Sequence, residues 1–174
     1  YAADLWSDPD ENRRFFRRMG LHDEQIIPVK ADATAMPFER EFFDAVVSTD
    51  SYNYFGRDPE YLDARLAPFV KSGGYIYIAL TGMKKDRHDA LPEELLLSWT
   101  PEQLDYIQDA DYWRRIMSQS TETELLELRE MESNEEVWAD WLRQDNEYAA
   151  GDRKAMEAGG GRYLNFIKIV LRKK

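Results

Sequence analysis

IIPVKADATAMPFEREFFDAVVSTDSYNY, residues 26–54, places two apolar runs and both of their ends in one short unit. Residues 26–31 form one run and residues 43–48 the other. Each stops in small and acidic residues, Asp32-Ala33-Thr34 after the first and Ser48-Thr49-Asp50-Ser51 after the second. Short apolar runs of this length read as buried strands. An open α/β sheet gathers its ligand contacts outside the carboxyl ends of its strands. The stretch therefore predicts two strands with a ligand site at their ends.

The flanks extend the pattern. Upstream, residues 1–5 read as the end of a strand. Asp8 as N-cap, Pro9 at the first helical position and Glu11 closing a capping box then start a helix over 9–19, which Gly20 ends. Strand, helix, strand implies parallel pairing through a right-handed crossover. Downstream, Asp58-Pro59 announces a helix with Tyr61, Leu62, Leu66 and Phe69 at helical spacing, Ser72-Gly73-Gly74 terminates it, and residues 75–80 are a third strand. The repeated alternation predicts an α/β fold, a Rossmann-like doubly wound, mostly parallel sheet with flanking helices.

From 81 to 101 the periodicity fades, so residues 81–122 read as a lid or substrate excursion from a single domain spanning 1–174. Thr100-Pro101 with Gln103 restarts a helix, and 111–117 is a short helix carrying Tyr112 and Trp113. Residues 124–131, ELLELREM, suit helix or strand equally by spacing. Ser133 with Glu136 reads as a capping box. The helix behind it shows Val137, Trp138, Trp141, Leu142, Asp145 and Tyr148 on one face and reaches at least residue 150. After Gly159-Gly160-Gly161, residues 163–171 form a central or near-central final strand.

Composition narrows the function classes. Without Cys there is neither a disulfide framework nor a thiolate zinc site, and His22 and His88 stand apart, so no metal site is expected. A net charge of -11 repels phosphate backbones and anionic lipid heads. The pairs Arg13-Arg14 and Arg17-Arg18 alternate with Phe15-Phe16 and read as a solvated helix face, so no nucleic-acid or membrane partner is expected. No run approaches the ~20 apolar residues of a membrane span and no signal peptide is visible, which gives a cytoplasmic reading. The chain starts at Tyr1 inside a strand, so a longer natural protein is expected. Oligomeric state is open.

The segments AADLW, ADATAMPF, FFDAVVSTDSYNYF, LAPFVKSGGYIYIAL and GGRYLNFIKIVLRKK together resemble the class I S-adenosylmethionine-dependent methyltransferases, in their small-molecule branch, over nearly the whole chain. The resemblance implies S-adenosyl-L-methionine as cofactor and a small-molecule substrate methylated by in-line transfer. It implies that Asp4 accepts hydrogen bonds from the ribose hydroxyls, that Leu5 and Trp6 wall the adenine, and that Asp32 takes the adenine amino group beside the N–H of Ala33. Ser48 and Thr49 would flank the methionine part. Tyr52, Tyr54, Trp99, Tyr112 and Trp113 would face the substrate, while Trp138 and Trp141 read as core. Catalytic residues are unknown; Asp50, Tyr54 and His88 are the groups within reach. Acidic residues Glu93, Glu94, Asp105 and Asp109 suit a cationic amine or a plain solvated face. Asp4 also reads as a helix-entry Asp, Asp32 as a loop cap, and the loop tyrosines as hydrophobic cover.

One feature of the family is missing, the first strand with its glycine-rich loop, which would precede Tyr1 or lie on another chain. It would sit between the strands ending at Asp4 and at Ser48, so the residues alone are expected neither to fold stably nor to bind the cofactor. Two other readings remain: a NAD-dependent Rossmann oxidoreductase, since Asp4 also suits an NAD ribose, and a non-catalytic methyltransferase-like binding domain.

Overall fold

Asp8 starts the first helix as its position requires: its carboxylate accepts the N–H of Asp10 at 2.9 Å and of Glu11 at 3.1 Å, and Pro9 occupies the first turn. The computed structural model describes residues 1–174, in two units, Tyr1–Arg40 and Glu41–Lys174. The first contains β1 (Ala2–Asp4), α1 (Pro9–Arg18) and β2 (Pro28–Lys30). Gly20 ends the helix at φ +81°, where a side chain would be strained. β1 and β2 are parallel, with Asp4 opposite Lys30. β2 is shorter than the predicted 26–31. The N–H of Ile26 turns back to the His22 carbonyl at 3.2 Å, and strand pairing begins with the bond from Ala2 N–H to the Ile27 carbonyl.

The second unit holds β3 (Phe43–Thr49), α2 (Tyr52–Phe55), β4 (Val70–Met83), α3 (Pro101–Leu104), α4 (Ala110–Met117), β5 (Thr123–Glu130), α5 (Asn134–Leu142), α6 (Glu147–Glu157) and β6 (Leu164–Lys173). The strand order is β3-β4-β6-β5. β3 runs parallel to β4, and β6 runs antiparallel to both β4 and β5. β6 is central, as its apolar run predicts. Ile76, Ile78 and Leu80 of β4 lie opposite Leu171, Ile169 and Ile167 of β6, and all six are buried. At about 1.5–3 kcal/mol per buried aliphatic side chain, this face is a main source of stability. A second cluster joins Met83, Leu95, Leu104, Ile107, Trp138 and Leu164, with Trp99, Trp141 and Phe166 against it. No helix is long and apolar enough to cross a membrane.

Three local expectations are corrected and one open reading is decided. The helix after Pro59 is only a wide turn, Leu62–Leu66, followed by a tight one, Ala67–Phe69, in which Pro68 has no N–H to give. Gly73-Gly74 stops no helix; it sits inside β4 where Val70 faces Phe43 but Tyr75 faces Ala45, so the intervening residues bulge. A Cβ on Gly74 would lie 2.7 Å from the Asp44 carbonyl oxygen. Residues 124–130, left open by spacing, are strand, and Leu128 pairs with Ile169 in register. The helix predicted from Ser133 to beyond 150 is two helices, and Ser133 makes no capping bond. Arg153 donates to the carbonyls of Leu142 at 2.8 Å and Gln144 at 2.6 Å at the end of α5. Asn146 then caps α6 by accepting the Ala149 N–H at 2.9 Å.

Candidate functional site

In the unit Tyr1–Arg40 the parallel pairing brings two carboxylates to the same end of a sheet. Ala31 N–H donates to the Asp4 carbonyl at 2.9 Å, so Asp32 leaves β2 beside the end of β1. Adjacent strands are about 4.8 Å apart. Asp4 Oδ1 accepts the N–H of Ser7 at 2.5 Å and of Trp6 at 2.7 Å. The Ser7 bond first, and the Trp6 bond with it, hold its carboxyl below the usual range against the opposing effect of burial. Asp32 Oδ1 accepts both the N–H of Thr34 at 2.8 Å and its hydroxyl at 2.7 Å, which lowers its pKa in the same way. Both are thus ionised acceptors that also cap their loops. Beside them Leu5 is 43% exposed and Trp6 84% exposed, an uncovered apolar wall. Ala33 is partly buried in the same loop. A shallow cleft of about 460 Å³ lined by Arg13, Arg17, Asp23, Ile26, Ile27 and Pro28 lies at the other end of β2 and includes none of these residues.

In the unit Glu41–Lys174, β3 delivers Ser48, Thr49 and Asp50 at its carboxyl end. The Ser48 and Ser51 hydroxyls are 2.9 Å apart. Thr49 is exposed. Asp50 adopts φ +46°, its N–H donates to the Ala79 carbonyl, and its Oδ1 accepts the Thr81 hydroxyl at 3.0 Å. Neighbouring tyrosines then part company. Tyr54 is exposed, 5.3 Å ring to ring from Tyr106, over which the Arg57 guanidinium sits at 4.4 Å. Partial burial and then the Asp50 charge raise its pKa. Tyr52 is fully buried against Phe55, Tyr61 and Trp113, and burial raises its pKa strongly.

Tyr52 and Trp113 are therefore corrected from substrate-facing residues to core. Trp113 is also fully buried, and the apolar face of α4 points inward. Tyr112 is partly buried against it at 5.4 Å, and Trp99 packs on Trp138 at 6.4 Å. Of the acidic residues Glu93, Glu94, Asp105 and Asp109, the last three are engaged in structure. Glu94 pairs with Arg162, Asp105 with Arg57 at 2.6 Å, and Asp109 accepts the Tyr112 and Asp86 N–H groups.

His88 is a staple of the same excursion. Its Nδ1 lies 2.6 Å from Asp86 Oδ1 and its Nε2 3.1 Å from the Leu104 carbonyl oxygen, so an imidazolium satisfies both. Burial lowers its pKa, but the Leu104 carbonyl and Asp86 outweigh that and the net shift is upward. A raised folded pKa stabilises fully below the unfolded value near 6.5 and the contribution is lost as pH rises through the folded pKa. The melting temperature of the wild type is accordingly expected to fall, relative to a His88→Gln variant, as pH is raised from about 6 to 8. Parallel curves for the two proteins would remove the staple role.

The groups missed in the sequence are Asp152, Asn53 and the polar side of Trp141. Asp152, on α6, accepts the Trp141 Nε1–H at 2.8 Å, and the Trp99 indole also acts on it. Burial raises its pKa first, and Asp50 adds to the rise. Ser98 Oγ donates to the Gly151 carbonyl at 2.7 Å and accepts the Ala155 N–H at 2.9 Å, which pins α6 at this carboxylate. Asn53 is 3% exposed with no partner for its Oδ1, and its amide bears on the Tyr54 hydroxyl. No spacing rule links residues on separate elements.

Comparison with known proteins fits this arrangement. Residues 6–78 match the methyltransferase domain family. Geranyl diphosphate C-methyltransferase from Streptomyces coelicolor A3(2) superposes with a TM-score of 0.70 at 14% identity, over 99% of this chain and 62% of its own. Phosphoethanolamine N-methyltransferase 2 of Haemonchus contortus gives 0.68 at 18% identity, over 92% and 39%. The [4+2]-cyclase SpnF gives 0.65 at 14% identity, over 98% and 64%. The chain thus spans about two thirds or less of these proteins. A search of curated proteins finds no match. Residues 6–78 are thus similar to the methyltransferase domain family, and these solved structures, at 14–18% identity, share the fold of the chain.

Proposed function

We propose that the chain is the S-adenosylmethionine-dependent methyltransferase part of an enzyme acting on a small molecule. The observation that supports it most is the pair of ionised carboxylates, Asp4 and Asp32, at one end of two parallel strands beside the exposed Trp6. Acceptor-only groups suit the hydroxyl and amino donors of an adenosine, and an uncovered indole suits its flat ring. In this reading Asp4 takes the ribose hydroxyls and Asp32 the adenine amino group, while Ala33 N–H faces a ring nitrogen. Leu5 and Trp6 wall the base.

The bound cofactor supplies an electrophilic methyl group on a sulfonium. The work left to this chain is to orient the acceptor and exclude water, for which no metal or nucleophilic triad is required. The names of the structural neighbours, geranyl diphosphate C-methyltransferase and phosphoethanolamine N-methyltransferase, support a small-molecule acceptor. We place residues 1–174 in one domain, with 81–122 as its lid. β3 is the outer strand of its sheet with Val47 71% exposed, which supports a further strand, carrying the family's glycine-rich loop, pairing along that edge.

The test is to incubate the full natural chain with methyl-tritiated S-adenosylmethionine and a small-metabolite fraction. Label is expected to move into the small molecules with an equal amount of S-adenosylhomocysteine. No homocysteine product, together with reduction of NAD by the same fraction, would instead establish the dehydrogenase reading.

A further inference from the structure

β4 runs parallel to β3, so the segment that leaves Met83 emerges at the same end of the sheet as Ser48, Thr49 and Asp50. Residues 84–87, 89 and 90 are exposed, and His88 between them is partly buried. Hydrogen bonds hold this segment to the rest of the fold. Lys84 N–H donates to the Tyr163 carbonyl at 2.9 Å and Asp86 N–H to the Asp109 carboxylate at 3.1 Å, which fixes its start. From its middle, His88 Nε2 reaches across 16 residues to lie 3.1 Å from the Leu104 carbonyl oxygen. Leu91 then packs against the cluster that holds Met83, Leu95 and Leu104.

The middle tie depends on a proton. Both ring nitrogens of His88 face oxygen acceptors, Nδ1 the Asp86 carboxylate at 2.6 Å and Nε2 the Leu104 carbonyl. Only the imidazolium carries an N–H on each nitrogen, and the neutral ring donates through one. The bond to a charged acceptor is the stronger. A neutral His88 therefore keeps its proton on Nδ1 and turns a bare lone pair toward the Leu104 oxygen. That carbonyl still accepts the Ile107 N–H at 2.9 Å, so it is not left unpaired. The turn at Leu104 stays in place, because the Leu104 side chain is fully buried and Arg57 donates to the Asp105 carbonyl at 2.8 Å and carboxylate at 2.6 Å. What comes free is the segment that carries His88.

We propose that residues 84–92 are a strap at the carboxyl ends of β3 and β4, tied down by protonated His88 and released when its imidazole loses the proton. That the strap gates a methyl acceptor rests on the methyltransferase reading above; the tie itself does not. The charged groups around His88 are Asp86 on its own segment, Asp105 after α3, which is paired with Arg57, and Asp109 at the start of α4, while Arg115 of α4 acts on Asp86. Burial lowers the His88 pKa, and the Leu104 carbonyl with Asp86 and Asp105 more than offsets it. Release accordingly falls on the alkaline side of the ordinary histidine range.

Trypsin reads the strap directly, because Lys84, Lys85 and Arg87 are cleavage sites within it. Cutting of a native protein follows the population of its opened form. Rates in the full natural chain are taken relative to a free peptide of residues 82–92, which removes the pH dependence of trypsin itself. The relative rate at these sites is expected to rise about tenfold between about pH 6 and about pH 8.5, with a midpoint that matches the His88 imidazole titration followed by NMR. His88→Ala should be cut fast at both pH values. Global unfolding would instead spread cuts through the chain. A wild-type rate that does not change with pH, or one that rises equally in His88→Ala, would overturn the proposal. Calorimetry with S-adenosylhomocysteine on the same samples keeps the two ideas apart: pH-dependent cutting without binding of that compound removes the methyltransferase reading and leaves the strap, and binding with pH-independent cutting does the reverse.

Discussion

Replacing Asp4 by Asn is expected to weaken S-adenosylmethionine binding by about 10- to 100-fold, or roughly 1.4–2.8 kcal/mol. The carboxylate stands exposed at the carboxyl end of β1 and is ionised well into the acid range, because the N–H groups of Ser7 and Trp6 hold the charged form. A pair of ribose hydroxyls needs acceptors, and hydrogen bonds to a charged acceptor are worth about 1.5–3 kcal/mol each. Asn keeps one oxygen for the Ser7 and Trp6 N–H groups but turns the other position into a donor, so two donors would face each other. Asp4→Ala removes the loop cap as well. The comparison therefore separates recognition from loop structure: Asn should lose affinity with the melting temperature nearly unchanged, and Ala should lose both.

Trp113→Ala is expected to destabilise the protein by about 3–5 kcal/mol, a large share of the ~5–15 kcal/mol available to a domain. Trp113 is fully buried and its ring meets Tyr52 at 5.8 Å and Tyr112 at 5.4 Å. Its Nε1 has no partner, so the whole loss is packing and the cavity left behind. Urea unfolding should show a lower midpoint with the same slope. A midpoint unchanged within error would place Trp113 outside the core. Trp6 shows the opposite design: at 84% exposure its truncation removes little packing, and its value lies in what it can cover.

How much of this was legible in the sequence depends on how local each cause is. The Asp8-Pro9 start, the Gly20 stop and the Thr100–Gln103 capping box are short-range arrangements, and all three are present. β6 was legible because burial imposes a dense apolar run; β3 carries the same kind of run but is half-buried or exposed along its length, as the outer strand of its sheet. β5 was ambiguous because its identity comes from register with β6, a partner dozens of residues away. The break between α5 and α6 was not legible because Arg153 reaches back to the Leu142 and Gln144 carbonyls. At the site, Asp4, Asp32 and Asp50 are strand-end residues that local pattern exposes. The opposite fates of Tyr52 and Tyr54, two residues apart, depend on which side of α2 meets the core. Asp152 was invisible for a similar reason, since its indole partners come from another helix and a distant turn.

The adenosine-binding role of the strand ends is the central claim, and calorimetric titration of S-adenosylhomocysteine into the full natural chain and its Asp4→Asn variant tests it most directly, with NAD titrated in parallel. The account predicts that the homocysteine compound binds the wild type, binds the variant at least tenfold more weakly, and that NAD produces no heat of binding. Equal affinity of the two proteins for the homocysteine compound, or preferential binding of NAD, would contradict it.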